Sequence, residues 1–281
     1  MLRNYLTTAI RTIKKYRFFS LINILGLALA MTVSMLLVML LADQLTYDRH
    51  NTNGSLIYRI NTIGVDEKGI EIKAQENASS PMPVGPELKE HYTGIAEVVR
   101  FRSGFGSNWE GFLSEQTNAP ITGFFTDENV LHVFQYELEY GDPSTALVDP
   151  YSVVLTRKAA NKLFRVANPV GEAISVGDQG MYKVTGVLKE AKNKSHLVFE
   201  GLASMSTVGS LEQLGKLEKI SNNWTNCWET WTYIQLEPGQ KASDSQRSLA
   251  QIYSKHIAGI STPGVYKIKF LLQPLFEITP G

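Results

Sequence analysis

The hydrophobic pattern of the chain is dominated by one long apolar run, Phe18–Ala42. The run has 25 residues and no charged side chain, and about 20 apolar residues are enough for a helix to cross a bilayer. The apolar core of a cleaved secretory signal is shorter, about 7 to 15 residues. The pattern therefore predicts a transmembrane helix over residues 18–42 that stays attached to the rest of the chain.

Ahead of this run, apolar positions recur at helical spacing. These positions are Leu2, Tyr5, Leu6, Ala9, Ile10 and Ile13. Most basic residues of the segment lie off this stripe, and an amphipathic basic helix of this kind lies in the membrane interface. We predict such an interfacial helix within residues 1–17. A plain basic tail that only sets orientation is the alternative.

After the run, the pattern changes to short strands that alternate with short helices. Strands are predicted at Ser55–Thr62 and at Glu229–Leu236, the latter with alternating polar and apolar residues in Thr230–Leu236. The longest helix outside the apolar run is predicted at Ala242–Ile257. Mixed strand and helix order is typical of an α+β fold. We predict a mixed α/β core domain of two subdomains over residues 43–281.

Two shorter helices carry residues that favour a helix start. Asp127 precedes one predicted helix and Thr156 precedes another. Side-chain oxygens at this position accept hydrogen bonds from the first free backbone N–H groups of a helix. We predict that both residues are helix caps.

Charge is unevenly distributed, although the formal net charge is zero. Residues 1–17 carry five basic side chains and no acidic one, which leaves 22 basic and 27 acidic residues in the rest. Because the basic side of a membrane span stays in the cytoplasm, we expect residues 1–17 to be cytoplasmic and the core domain to lie outside. A mildly acidic domain has no electrostatic basis for binding nucleic acid, so we predict no such partner.

Motifs that carry catalytic chemistry are missing from the sequence. It has no phosphate-binding Gly-x-x-x-x-Gly-Lys-Ser/Thr loop, no Gly-x-Ser-x-Gly elbow, no His-Glu-x-x-His pair and no Cys-x-x-Cys pair. The five histidines are scattered, and each is interpreted as a surface or satisfied core residue. We therefore predict that the chain is not an enzyme, and we assign no catalytic, cofactor-binding or metal-binding residue.

An aromatic cluster near the C-terminal end of the sequence invites two interpretations. One is a platform for a ligand and the other is packing in the core, and both concern Trp224, Trp228, Trp231 and Tyr233. Trp231 and Tyr233 share one face of a predicted strand, which favours packing. We predict core packing for the cluster, and likewise for Cys227, the single cysteine.

Two groups of residues are predicted to have structural roles instead of catalytic ones, in helix packing and in coupling the membrane helix to the core domain. Gly26 and Ala30 stand four residues apart in the span, where small side chains let another helix approach closely, and Asn23 is placed to add a hydrogen bond. After the span, residues 43–62 lead into the first strand with little interruption. We predict that Tyr47, Asp48, Tyr58 and Arg59 couple the membrane helix to the core domain.

A series of short segments resembles the permeases of FtsX/MacB-type ABC transporters, in the form found in Bacteroidetes. The segments, in the order of the family, are Ser20–Ala30, Asp43–His50, Ile57–Ile60, Phe134–Leu147, Val153–Thr156, Ala159–Ala160, Lys162–Phe164, Asn168–Gly171, Tyr182–Leu188, Asn193–Leu197 and Leu272–Leu275. Together they extend over nearly the whole chain. One departure is Arg165, which stands where the family usually has glycine.

The resemblance implies a permease subunit in the bacterial inner (plasma) membrane with a MacB-like periplasmic core domain. It implies a separate cytoplasmic ABC ATPase subunit, a second permease copy, and a periplasmic adaptor or cargo protein as partners. Motion driven by ATP hydrolysis would pass to the periplasmic domain for export, efflux or extraction of cargo. The family has three further membrane helices, so we expect them to follow Gly281 in a longer gene product.

A second function class fits the same topology. A membrane-anchored periplasmic ligand-binding or sensor module would also have one span and no catalytic motif. Such a module needs a cytoplasmic output domain, and residues 1–17 are too short to form one. A periplasmic enzyme is the least favoured reading.

Overall fold

The computed structural model describes residues 2–66, 70–106, 112–113, 118–190, 194–260 and 267–279. Asn193 and Gly281, both named above, lie outside these ranges. The chain divides into a helical unit that ends at Tyr47 and a domain unit, Asp48–Thr279. The boundary predicted after Ala42 stays a prediction; Leu45 donates its backbone N–H to Leu41 O at 3.0 Å in a helical pattern.

The helical unit contains helix α1, Leu2–Lys15, and helix α2, Arg17–Gln44. Within the described residues, α2 is the one helix long and apolar enough to cross a membrane. None of its residues is buried. The predicted span is therefore confirmed as a helix, slightly longer at both ends than residues 18–42. The interfacial location of α1 stays a prediction.

The domain unit mixes short helices with short strands, as predicted. Its helices are α3 Val84–His91, α4 Val130–Val133, α5 Arg157–Leu163, α6 Val208–Gln213 and α7 Ala242–His256. Its strands are β1 Ile57–Val65, β2 Glu71–Asn77, β3 Ile95–Phe105, β4 Phe112–Leu113, β5 Asn118–Ala119, β6 Gly123–Thr126, β7 Leu138–Gly141, β8 Ser152–Thr156, β9 Ala173–Val176, β10 Met181–Leu188, β11 Gly201–Ser204, β12 Thr230–Leu236 and β13 Lys267–Pro274. The α+β class is confirmed.

Strand pairing connects all thirteen strands of the described residues into one mixed sheet. The order is β13-β1-β12-β3-β6-β11-β8-β10-β9-β4-β5, with β2 paired to β1 and β7 paired to β10. The pairs β8–β10 and β6–β11 are parallel, whereas the other pairs are antiparallel. Pairing runs without a break, and Asp48–Thr279 is one compact unit. The division of this unit into two subdomains stays a prediction.

Strand β1 receives three partners and so ties the start of the domain to its end. Strand β13 pairs with it from Tyr58 to Val65, β12 pairs with its first residues, Ile57–Ile60, and β2 pairs with its last residues. A strand placed in this way is fixed on both edges. The first strand after α2 is therefore an internal strand of the sheet.

The apolar core lies on both faces of the sheet, as the period of two along a strand requires. Val153 and Leu155 pack in one cluster with α5 and α6, while Val154 between them packs in another. The second cluster contains Phe101, Phe134, Leu202 and Tyr233. A third cluster lies beneath α3 and α7 and includes Ile60, Leu88, Ile234, Leu249 and Phe270.

The two predicted helix caps have different outcomes. Thr156 accepts a hydrogen bond from Ala159 N at 3.2 Å at the start of α5, so this cap is confirmed. The cap at Asp127 is wrong, because α4 begins at Val130 after Asn129. The Asp127 carboxylate instead accepts bonds from Arg100 N, Nε and Nη2 at 2.7, 3.0 and 2.6 Å. A carboxylate is bound more strongly by a bidentate contact with a guanidinium than by a single hydrogen bond from a neutral backbone amide.

The aromatic cluster packs in the core only in part. Trp231 packs against Phe124 with ring centroids 5.6 Å apart, and Tyr233 and Cys227 are buried, which confirms the prediction for them. Trp224 stacks on the His256 ring at 3.9 Å. For Trp228 the prediction is wrong, because this side chain is 65% exposed. It precedes β12, where the chain has not yet entered the sheet.

Candidate functional site: the junction network

The domain unit begins with a residue in an unusual backbone conformation. Asp48 has φ of 56°, in the left-handed region, which aspartate tolerates better than most residues. Its backbone N–H donates to Lys194 O at 2.9 Å, and its carbonyl accepts from Asn51 N at 3.1 Å. This turn directs the Asp48 side chain into the domain, where the residue is 2% exposed.

The Asp48 carboxylate is the centre of a buried polar cluster, which we call the junction network: Asp48, Ser195, His196 and Tyr233. Ser195 Oγ donates to Asp48 Oδ1 at 2.6 Å. His196 contacts Asp48 Oδ2 through its backbone N at 3.3 Å and its ring Nδ1 at 2.7 Å. The other ring nitrogen, Nε2, lies 2.7 Å from the Tyr233 hydroxyl oxygen. The network thus links the first residue of the domain to strand β12.

Electrostatics determine where the protons of this network lie. Burial disfavours the charged form of Asp48, but hydrogen bonds and charge from His196, with the bond from Ser195, hold the pKa of this carboxyl below its usual value. Burial raises the pKa of Tyr233 above its usual range, so its hydroxyl keeps its proton. Since an ionised carboxylate only accepts hydrogen bonds, Nδ1 of His196 carries the proton in its contact with Asp48.

Further contacts anchor the residues that follow Asp48. Asn51 Nδ2 donates to Val133 O at 2.9 Å, at the end of α4. Thr52 and Gln135 exchange two hydrogen bonds, of 3.1 and 2.7 Å. These bonds tie the chain to a second part of the domain, distinct from the one that contains Ser195 and His196.

A third anchor lies near the end of the described chain. The Arg49 guanidinium lies 4.4 Å from the centroid of the Phe276 ring, in a cation–π contact. Gly54 lies against the same ring, because a Cβ atom at this position would be 2.3 Å from Phe276 Cζ. Residues 48–54, which we call the junction segment, are therefore held at three separate places.

The coupling residues predicted after Asp48 lie at the start of β1. Arg59 is opposite Tyr233 in the register of β1 and β12, and it donates Nε to Asn61 Oδ1 at 3.0 Å and Nη2 to Gln273 Oε1 at 2.6 Å. Tyr58 packs against the third core cluster. The structure thus brings Asp48 and Arg59 towards Tyr233, whereas Tyr58 has a different environment. Their role in coupling stays a prediction.

The remaining predicted residues belong to the helical unit. Tyr47 is its last residue. Asn23, Gly26 and Ala30 are exposed along α2, and a Cβ on Gly26 would meet no described atom within 4 Å. Helix packing at these positions stays a prediction.

Sequence reasoning missed His196 and Tyr233 as partners of Asp48. It did quote both Asp43–His50 and Asn193–Leu197 among the segments of the resemblance. The structure joins these two segments through the bond between Asp48 and His196. The signal was therefore present as two separate motifs, and only their contact was missing. His196 is a satisfied core histidine, which is one of the two predicted interpretations.

The hydrogen bonds of the junction network fix the positions of its residues and do not activate a catalytic group. Ser195 Oγ donates to Asp48 and accepts from Leu197 N at 3.2 Å, so it is not aligned with an imidazole that would activate it. The His196 and Asp48 side chains are only 7% and 3% exposed, which leaves no path to a substrate. Among the described residues, no group of three or more His, Cys, Asp and Glu side chains is arranged to hold a metal ion.

Solved structures of bacterial transporter domains share this fold. A domain of a protein described as a permease from Porphyromonas gingivalis superposes with a TM-score of 0.64 at 16% identity, covering 80% of this chain and 92% of that one. The periplasmic region of MacB from Actinobacillus actinomycetemcomitans gives 0.50 at 14% identity, with the same coverage. The extracellular domain of the ABC-type transporter YknZ from Gram-positive bacteria gives 0.52 at 17% identity, covering 76% and 99%.

No curated protein matches the chain. The sequence pattern of one family, the MacB-like periplasmic core domain, matches residues 20–252. This match includes most of α2, the junction network and every strand except β13. The chain therefore belongs to the family of MacB-like periplasmic core domains of ABC transporter permeases.

Proposed function

We propose that the chain forms the first membrane helix and the periplasmic domain of a permease subunit, and that it passes movement from a cytoplasmic ATPase to the periplasm. The movement would drive export or extraction of a cargo, in the manner of MacB/FtsX-type transporters. The junction network is the observation that carries this proposal. It ties Asp48, the fourth residue after the end of α2, into the core of the domain.

The connection between α2 and the domain unit is short and hydrogen-bonded. Only residues 45–47 separate Gln44 from Asp48. Leu45 donates its backbone N–H to Leu41 O and Thr46 donates to Asp43 O, at 3.0 and 3.1 Å. A bonded connection of three residues has little slack to absorb a displacement, unlike a flexible linker. A displacement of α2 would therefore reach Asp48.

From Asp48 the displacement would pass into the sheet. His196 relays it to Tyr233 in β12, and the contacts of Asn51 and Arg49 spread it over two further regions. Packed cores respond to such a displacement as a unit because their interiors are close-packed. The proposal thus assigns a mechanical role to a polar cluster that has no access for a substrate.

The partners follow from the same proposal. The basic residues of segment 1–17 favour a cytoplasmic N-terminus, where a separate ABC ATPase subunit would bind and hydrolyse ATP. A second permease copy would complete the membrane part, with Asn23, Gly26 and Ala30 available for helix packing on α2. A periplasmic adaptor or cargo protein would contact the domain unit.

An insertion at the junction tests the proposal. We expect that a four-residue Gly-Ser-Gly-Ser insert after Tyr47 leaves membrane insertion and ATPase binding intact, because neither depends on the junction. We expect the same insertion to abolish the effect of the periplasmic domain on ATP hydrolysis by the co-expressed ABC ATPase. The matched control places the insertion after Gly239, in an exposed turn where no atom lies within 4 Å of a Cβ position.

The outcomes separate this proposal from its alternative. Normal coupling in the variant with the insertion after Tyr47 would contradict mechanical transmission through the junction. Failure of the full chain to co-purify with any ABC ATPase would favour the membrane-anchored ligand-binding or sensor module. Loss of function in both insertion variants would mean that the domain does not tolerate insertions, and point substitutions of Asp48 would then replace them.

A further inference from the structure

Strand β13 forms one end of the sheet. It pairs with β1 along one edge, from Tyr58 to Val65, and within the described residues no strand pairs with its other edge. Such an edge presents backbone N–H and C=O groups to which another chain can add a strand. The centre of β13, Phe270–Leu272, is also apolar. The outer edge of β13 is therefore a place where the sheet needs protection from further pairing.

The outer edge of β13 is bonded to a side chain of helix α7. Gln246 Nε2 donates to Phe270 O at 2.5 Å, and Gln246 Oε1 accepts from Leu272 N at 3.1 Å. In an antiparallel ladder, alternate residues direct both backbone groups towards the paired strand, and the residues between them direct both away. Phe270 and Leu272 are two positions apart and belong to the set that faces away from β1. One amide thus supplies the donor and the acceptor that an added strand would supply.

The packing of α7 explains how Gln246 comes to lie at this edge. Ser245, Leu249 and Ile252 are buried and follow the i, i+4, i+7 spacing of one helix face. Leu249 and Ile252 pack in the third core cluster with Phe270 of β13. Gln246 directly follows Ser245, so it lies at the border of this face, where it is partly buried. Its side chain extends from that border to the edge of the strand.

Other features of β13 also act against strand addition, but only near its ends. Lys267 and Lys269 are exposed near the start of the strand, and charged side chains on an edge strand, lysine above all, disfavour pairing with another edge. Pro274 ends the strand and has no N–H to donate. The apolar centre, Phe270–Leu272, has neither feature. Gln246 covers the stretch between the lysines and the proline.

We propose that Gln246 closes the outer edge of β13, and that without this contact the edge pairs with β13 of a second copy of the chain. Two copies of one strand can pair antiparallel about a two-fold axis, so that each supplies the same groups to the other. The apolar centre, Phe270–Leu272, would then face its own counterpart, and the lysines of one strand would lie opposite the proline end of the other. The Gln246 contact is therefore autoinhibitory, because it keeps this edge from pairing in the folded chain.

A spin label on β13 detects such pairing directly. Lys267→Cys provides the labelling site, because Lys267 is exposed whereas Cys227 is buried. β13 has eight residues, and at about 3.4 Å per residue the labels on two paired strands would lie within about 30 Å of each other. The full labelled chain in detergent micelles is measured by double electron–electron resonance. No ATPase takes part, so failure of this experiment is distinguishable from failure of the coupling proposal.

The decisive substitution is Gln246→Met, which removes the amide and keeps a long side chain of good helix propensity. Relative to the labelled chain that keeps Gln246, we expect the fraction of labels with a partner within about 30 Å to rise at least about fivefold. Gln251→Met is the matched control, since Gln251 is exposed on the same helix, and we expect no rise. Adding Leu271→Lys to Gln246→Met places like charges on the two paired strands, and we expect it to reverse the rise.

Hydrogen exchange of the wild type gives a second measurement that needs no substitution at Gln246. Because the Leu272 amide donates to Gln246 Oε1, we expect its hydrogen to exchange at least about tenfold more slowly than in an unstructured peptide. Exchange at the unstructured rate would refute the closure of the edge. This measurement decides the question if Gln246→Met does not unfold cooperatively.

Three results of the label experiment would contradict the proposal. Equal signals in Gln246→Met and Gln251→Met would mean that the amide does not close the edge. A distance within about 30 Å in the labelled chain that keeps Gln246 would mean that the edge is already open. A rise that Leu271→Lys does not reverse would place the contact between copies on another surface.

Discussion

Replacement of Asp48 measures the junction network directly. The carboxylate accepts bonds from Ser195 Oγ, His196 Nδ1 and His196 N, at 2.6, 2.7 and 3.3 Å, and is 3% exposed. Asp48→Ala leaves these donors buried without an acceptor, and each buried donor left unsatisfied costs about 1 to 3 kcal/mol. Alanine also adds about 1 kcal/mol of strain at φ of 56°.

Asp48→Asn separates the charge from the geometry. Asparagine keeps one oxygen acceptor and tolerates the left-handed conformation, so we expect a smaller loss of about 2 kcal/mol. The assay is urea unfolding of the full chain in nanodiscs, followed by tryptophan fluorescence. A domain has a free energy of unfolding of about 5 to 15 kcal/mol, so the loss in Asp48→Ala shifts the midpoint strongly.

Asp142→Ala is the matched control for this experiment. Asp142 also accepts two hydrogen bonds, from Ser144 N and Oγ at 2.9 and 2.7 Å, but both bonds are exposed. We expect its unfolding midpoint to stay close to that of the wild type. If Asp48→Ala were no less stable than Asp142→Ala, the argument that the buried network stabilises the domain would be refuted.

Three further predictions use the same unfolding assay. The partners of Asp48 lower the pKa of its carboxyl in the folded state. The contribution of Asp48 to the free energy of unfolding is therefore present above a pH of about 4 and is lost as the pH falls further. Equal acid sensitivity of the wild type and of Asp48→Asn would contradict this. Gly54→Ala is expected to cost about 1 to 3 kcal/mol by overpacking against Phe276, while Gly209→Ala, with no atom within 4 Å, is not destabilising; equal effects would refute the contact. Thr156→Ala is expected to cost about 1 kcal/mol through loss of the cap on α5, and Thr156→Ser should recover most of it.

Features that depend on neighbouring residues could be predicted from the sequence. The span follows from composition alone, and β12, Thr230–Leu236, begins one residue after the start of the predicted strand Glu229–Leu236 and ends at the same residue. Thr156 caps a helix by a bond to a residue three positions away. Each of these signals lies within a single turn or strand, where spacing in the sequence is spacing in the structure.

Features that depend on distant contacts could not be predicted. Asp127 has the residue type of a cap, but Arg100, 27 positions earlier, takes its carboxylate. Asp48 and His196 are 148 positions apart, and no local pattern links them. Trp228 was assigned to the core from residue type, yet tertiary packing leaves it exposed. The sheet itself could be assigned to a class, but its strand order depends on such long-range pairing.

A polar network at the junction has a property that apolar packing lacks. An apolar contact between the junction segment and the domain would bury area, but apolar contacts are non-directional and allow the segment to slide by small steps. Hydrogen bonds require defined distances and angles, and the Asp48 carboxylate satisfies its donors only in one position. Burial makes any departure costly because unpaired donors would be left inside the domain. The network is therefore suited to a connection that must hold one geometry under load, which the proposed mechanical coupling from α2 would require of Asp48.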